Sequence, residues 1–285
     1  MSLSKKALAA LAVAAIGLSG CSGNADFKNR YAAADFGMSY QEADPQASGS
    51  QMEKRIGEEL KQFDAAFAKL ATLTDPLPGP VQGQVRGYVG EVKKVADQTI
   101  KPKLMAAAKS DATELATFLK AHNLFAEKSH PYGYNLVDRL QGEDGDAVEA
   151  NKLVDEANAV LKEAGKVTAA IALAKRLVEV SRADVTALKA APSRAKFAGI
   201  GLITVSATRN TLSSLAEAQS LLPRVQGLLD KTKGVLMAKP MLGMKLGGLP
   251  GQLGGATAGL AGVAKDGPGL LGGLAGLAQD LAALK

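Results

Sequence analysis

Three features of the chain predict an all-α fold: an elongated antiparallel bundle of about four long helices with a Gly/Leu/Ala-rich C-terminal tail. Apolar residues make up 47 % of the 285 and are mostly Ala and Leu, while aromatic residues make up 4 % and Trp is absent. Sheets favour β-branched and aromatic faces, whereas this composition suits close-packed helices. Apolar positions recur at steps of three and four over long stretches between residues 51 and 236, the spacing of one helix face. The breaks at 75–80 and 190–193 contain proline and are short, and short connections make neighbouring helices antiparallel. The expected division is a leader at 1–20, a tether at 21–50, a bundle at 51–236 and a tail at 237–285.

The leader begins with a basic head, Lys5 and Lys6, followed by an unbroken run of apolar and small residues from Ala7 to Leu18. That run is shorter than the ~20 residues a retained spanning helix needs, so it reads as an export signal. It ends in Leu18, Ser19 and Gly20, directly before Cys21, the single cysteine. A lone Cys in an exported chain is open to a free thiol or an intermolecular disulfide. Its position behind a small-residue box argues for acylation. Leu18-Ser19-Gly20-Cys21 resembles the lipobox of bacterial lipoproteins. The resemblance implies cleavage after Gly20, acylation of Cys21 as the first mature residue, and attachment to membrane lipid through it. Ser22 in place of an aspartate implies the outer membrane, with either the periplasmic side or the cell surface open. More than one acyl chain is needed for stable anchoring. With Cys21 acylated no thiol is left for a disulfide, so the fold rests on burial.

Residues 22–50 show no sustained period. Phe27, Tyr31, Phe36 and Tyr40 suggest either a short aromatic-edged helix or simply the tether. From Met52 to about Leu73 the stripe Ile56, Leu60, Phe63, Phe67 and Leu70 predicts a first helix, ended by Asp75-Pro76-Leu77-Pro78-Gly79-Pro80. A second starts after Pro80 with Val85, Val89, Val92, Ala96 and Ile100 on one face, and Gly83, Gly87 and Gly90 permit close backbone approach. Pro102 should kink or split it, and Asp111 with Glu114 signals a fresh segment ending near His122. The link from Phe125 to Gly145 is polar and glycine-punctuated, with a short helical turn expected at Asn135 to Leu140. Asp146 and Glu149 form a capping-box pattern before the strongest helix, whose stripe runs from Leu153 through Ala157, Val160 and Ala164 to Leu188. Its alanines imply a close partner. Pro192 stops it, and Arg194 opens a helix read as reaching Pro223; Phe197 to Thr208 is apolar nearly all round, consistent with burial in the bundle centre.

After Pro240 the chain is built from Leu, Gly and Ala. Gly255 with Gly259 and Gly272 with Gly276 have the spacing that lets apolar helices touch, making them candidate helix or membrane contacts. The tail must be received by the bundle's own groove, a second copy, or a membrane surface; contact with lipid or another envelope protein is the preferred expectation over packing.

Catalytic patterns are mostly rejected. Gly267 to Gly272 matches G-x-G-x-x-G but follows no strand and contains Pro268. Gly165-Lys166 precedes Val167, which cannot supply a metal-binding hydroxyl. Glu143-Asp144-Gly145-Asp146 lacks the alternate ligands of a calcium loop. His122 and His130, with Glu127 nearby, make at most a weak metal pair, and two histidines without a mature thiol leave little for a hydrolytic triad. Lys and Arg are scattered among Asp and Glu, so no nucleic-acid face is expected. The chain is therefore expected to be no enzyme and to hold no cofactor or metal. It reads as an envelope lipoprotein acting as a structural or protein/lipid interaction module, with possible self-association; the alternative is a carrier or sensor of an apolar ligand within the bundle.

Overall fold

The computed structural model describes residues 49–122, 136–141 and 145–284. The chain divides into two units, residues 1–30 and 31–285, and every described residue belongs to the second. The leader with its Leu18 to Cys21 box, the aromatic series at 27–40, and Glu127 with His130 lie outside the described residues.

Among the described residues every regular element is a helix and there is no strand. Two helices form the backbone of the bundle: α6, Gly145–Ala190, and α7, Arg194–Ala238, of 46 and 45 residues. A ladder of ion pairs fixes their direction. Glu163 meets Arg224, Glu156 meets Lys231 and Asp146 meets Lys239, so one number falls as the other rises and the helices are antiparallel. Every predicted stripe position of α6 from Leu153 to Leu188 is buried. The apolar run in α7 is central as expected: positions 197 to 209 are buried without interruption.

The first half differs from the expected two long helices. The first helix breaks at Lys69 into α1, Gly49–Ala68, and α2, Leu70–Thr74. Arg86 secures the end of α2, its Nε donating to Thr74 Oγ1 at 2.7 Å and its Nη2 to Ala71 O at 3.3 Å, which places a cation at the C-terminal end of that helix. The second helix, α3, Gly79–Val95, runs through a π-helical turn, Ala96–Ile100, into α4, Lys101–Ser110. The wider turn directly before Pro102 accommodates a residue that cannot donate to the ladder. Helix α5, Ala112–His122, follows as the separate segment expected after Asp111. Thus about four long helices becomes two in that range, flanked by shorter pieces.

The third long helix comes from the tail. After a 3₁₀ turn, Pro240–Leu242, and the short α8, Gly243–Leu246, helix α9 spans Leu249–Ala283. It runs parallel to α6, since Lys175 pairs with Asp266 and Arg182 lies against Gly273. Helix α9 therefore packs on α6 within the same unit. Ten glycines cost roughly 10 kcal/mol of helix propensity relative to alanine. They are offset by eight buried leucines, among them Leu253, Leu260, Leu274 and Leu281 with no exposed surface, each contributing about 1.5–3 kcal/mol. Gly267 shows why glycine is needed: an added Cβ would lie 2.5 Å from Leu215 Cδ2 of α7.

Two further expectations change. Pro223 does not end α7 but sits inside it, on the exposed side, where water can satisfy the carbonyl that loses its partner. Residues 136–141 form no helical turn. They are held against α6 by two asparagines: Asn158 exchanges both amide bonds with the backbone of Val137, and Asn151 does so with Leu140.

Apolar burial forms three successive zones. One, with Met52, Leu115, Leu188, Phe197 and Leu281, lies at the α6–α7 turn; a middle zone joins α3, α6, α7 and α9; a small one, with Ala150, Val154, Leu242 and Leu246, lies at the opposite end. Among the described residues no helix is long and apolar enough to cross a membrane.

Candidate functional site

A broad concavity lies at the α6–α7 turn. Helix α4, the last residues of α6, the first turn of α7 and the end of α9 enclose a cleft of about 740 Å³, within the ~300–1,000 Å³ usual for small-molecule sites. Its apolar surface comes from Leu188, Pro192, Phe197 and Leu284, and its charge from Lys103, Lys189 and Arg194. Leu188 and Phe197 also belong to the bundle core, which makes the floor rigid. Lys103 ties the walls together: its Nζ lies 4.2 Å from the Phe197 ring centroid and donates to Leu284 O at 3.1 Å, joining α4 to α7 and to the end of α9.

The local fold explains the position of the cationic rim. Pro192 interrupts the helical ladder, and Ser193 in extended backbone caps α7, its Oγ accepting from Lys196 N at 3.2 Å. The same hydroxyl donates to Glu114 Oε1 at 2.9 Å, so α5 holds the turn. Glu114 is thereby placed against a lining residue; among the described residues the lining itself contains three cations and no acid. Lys189 and Arg194 are exposed, one on each side of the turn.

The glycines singled out in the tail fall elsewhere. On α9, Gly255 is exposed and Gly259 half-buried. Gly272 and Gly276 face Gly83 and Gly87 of α3 across a shallow groove of about 520 Å³ that also includes Tyr88 and Glu91. A Cβ at Gly272 would lie 3.0 Å from the Tyr88 ring, whereas one at Gly276 would meet nothing within 4 Å. Of the two, only Gly272 lies close against α3, and among the described residues the groove brings together no reactive group beyond Tyr88 and Glu91.

Other chemistry-bearing residues are engaged by the fold. His122 Nε2 lies 2.6 Å from Asp184 Oδ2 and Nδ1 lies 2.9 Å from Phe118 O, so both ring nitrogens are already occupied. Asp146 and Glu149 both bind Lys239, joining the start of α6 to the end of α7; these bonds hold the Lys239 ammonium well above the usual lysine range. The glycine pattern at 267–272 lies inside α9, with Gly267 and Pro268 buried. Among the described residues no group of three or more His, Cys, Asp or Glu side chains is placed to hold a metal.

The cleft was not legible in the sequence. Lys103, Lys189 and Arg194 come from three helices, and only the proline turn at 192 marked any part of it. No protein-family model, curated protein or solved structure matches the chain. What the fold defines is a class: an all-α bundle whose C-terminal Gly/Leu/Ala helix is a core element.

Proposed function

We propose that this protein is a lipid-anchored module of the bacterial envelope that works by binding, with the α6–α7 turn end as its binding face. The observation that carries the reading is where the chain enters the bundle. Glu53 in the second turn of α1 pairs with Lys109 at the end of α4, and Met52 shares the apolar cluster of Leu188 and Leu281. The start of α1 therefore lies at the cleft end. Cys21 is 28 residues upstream of Gly49, a stretch that reaches at most ~100 Å fully extended. An acylated Cys21 would keep that end near the bilayer, and the lipobox pattern makes the outer membrane the expected address.

Mass analysis of the membrane-extracted protein tests the anchor. A chain beginning at Cys21 and carrying acyl mass is expected, and its loss from the membrane on Cys21→Ser; an unmodified chain that washes off membranes would defeat the reading. The second reading, a carrier or sensor of an apolar ligand, is supported at the open cleft and not between the central helices, where α7 is enclosed on all sides.

A further inference from the structure

The cleft itself indicates what it would hold. An apolar floor alone would suit any greasy partner, but this floor is bordered by three cations and, among the described residues, its lining has no carboxylate. A site of that composition favours a molecule with one negative head and an apolar chain, because the head gains Coulomb energy from Lys189 and Arg194 while the chain removes Leu188, Phe197 and Leu284 from water. An uncharged lipid would gain only the second contribution, and a free inorganic anion only the first, largely screened at an exposed rim.

Three observations make this more than an unpartnered surface. Lys103 bridges Phe197 and Leu284, so the wall is held in place before any ligand arrives. Lys189 and Arg194 flank a turn pinned by Ser193 and Glu114, which sets their spacing. The start of α1 lies at the same end, where Glu53 pairs with Lys109 and Met52 joins the apolar cluster of Leu188 and Leu281.

We propose that the cleft between α4, the α6–α7 turn and the end of α9 binds a single-chain anionic amphiphile, with its carboxylate or phosphate head at Lys189 and Arg194 and its acyl chain over Leu188 and Phe197. The proposal rests on the turn end being the binding face, and it is independent of whether Cys21 is acylated. The head group has two sources, a free fatty acid or a lysophospholipid, which share the same recognition chemistry.

The test uses the mature chain from residue 21 with Cys21→Ser, so that the protein's own acyl groups are absent. Calorimetric titration below micelle-forming concentration compares palmitate, palmitoyl-lysophosphatidylglycerol, uncharged monopalmitoylglycerol and inorganic phosphate. Saturable one-to-one binding is expected for one or both anionic amphiphiles, with palmitate against lysophosphatidylglycerol identifying the head. Affinity should be about tenfold or more above the uncharged lipid, equivalent to ~1.4 kcal/mol, with no saturable binding of phosphate. Lys189→Glu with Arg194→Glu, both exposed, should abolish the preference for the anionic lipids while leaving the helical circular dichroism unchanged. Lys231→Glu, on the far half of α7, should leave binding as it was. Equal affinity for charged and uncharged lipids, saturable binding of phosphate alone, no binding of either anionic lipid, or an unaltered double variant would each overturn the assignment. Failure of the anchor would instead appear as the wrong mass at Cys21, with the titration unaffected.

Discussion

The Glu59 carboxylate on α1 lies 3.1 Å from the Arg209 guanidinium on α7 and accepts the Ser206 hydroxyl at 2.7 Å, with Glu59 only 1 % exposed. Burying two charges costs several kcal/mol per ion, which their attraction and the added hydroxyl must offset. Removing one partner takes from the other, still buried, its opposite charge. Glu59→Leu should therefore lower unfolding free energy by about 3–5 kcal/mol, whereas Glu59→Leu combined with Arg209→Leu should recover most of the loss. Urea midpoints of the two variants check this; a double variant no more stable than Glu59→Leu alone would overturn it.

Helix α9 should be required for the fold. A chain ending at Lys239 is expected to lose cooperative thermal unfolding, because α7 and α6 would expose the faces now covered by Leu253, Leu260, Leu271 and Leu274. Two single substitutions sharpen the point. Gly267→Ala should cost about 1–3 kcal/mol through contact with Leu215. Gly276→Ala, where a Cβ meets open space, should instead gain about 0.5–1 kcal/mol from helix propensity. The reverse order of melting temperatures would remove α9 from this position.

Acid sensitivity should be centred on a four-charge cluster where α1 meets the π turn. Asp64 pairs with Lys93 and Lys101 at 3.4 and 3.0 Å, and Asp97 pairs with the same two lysines. Burial raises the Asp97 carboxyl, but hydrogen bonds from Lys101 and Lys93 outweigh it and hold the group below the usual carboxylate range. A folded value below the unfolded one gives stability that is present above about pH 4 and lost as pH falls through the folded value. Asp97→Asn should thus lower the melting temperature at neutral pH and make no difference in strong acid. Exposure of the pair limits the effect to about 1 kcal/mol or less, and high salt should reduce it further. For Lys101, burial is opposed by the hydrogen bonds it donates to Asp97 and Asp64, which raise it above the usual lysine range, so its contribution is present at neutral pH and lost as pH rises through the folded value. Melting curves across the pH range check both signs.

Asn158 should hold residues 136–141 against α6. Its side-chain amide satisfies both the N–H and the C=O of Val137, at 2.8 and 2.7 Å. Asn158→Leu leaves both without that partner, at about 1–3 kcal/mol for groups that stay buried. Hydrogen exchange at the Val137 amide should speed up while exchange in the centre of α7 stays unchanged. Asn158→Asp should retain the bond from Val137 N–H and lose the one to its C=O; equal protection in all three chains would assign the segment's placement to other contacts.

Periodicity by itself determined the parts of this protein in which one face of one helix decides the outcome. The α6 stripe from Leu153 to Leu188 and the all-round apolar run of α7 were legible because the side chains that must be buried are spaced by the helix itself. Proline was less informative. Pro192 ended a helix where the chain also turned, whereas Pro223 and Pro268 lie inside helices, one exposed and one buried, because surrounding packing or solvent replaced what the missing donor removed. Composition misdirected the reading of the tail. Ten glycines argue against a free helix, and only apposition to α3, α6 and α7 shows that Gly267, Gly272 and Gly273 admit close neighbours such as Leu215 while the intervening leucines gain burial. The cleft lay further still from the sequence, for Lys103, Lys189, Arg194 and Leu284 carry no shared spacing. Local pattern settles which face of a helix is dry; which faces meet, and which cations come to border the same apolar floor, is decided by long-range packing.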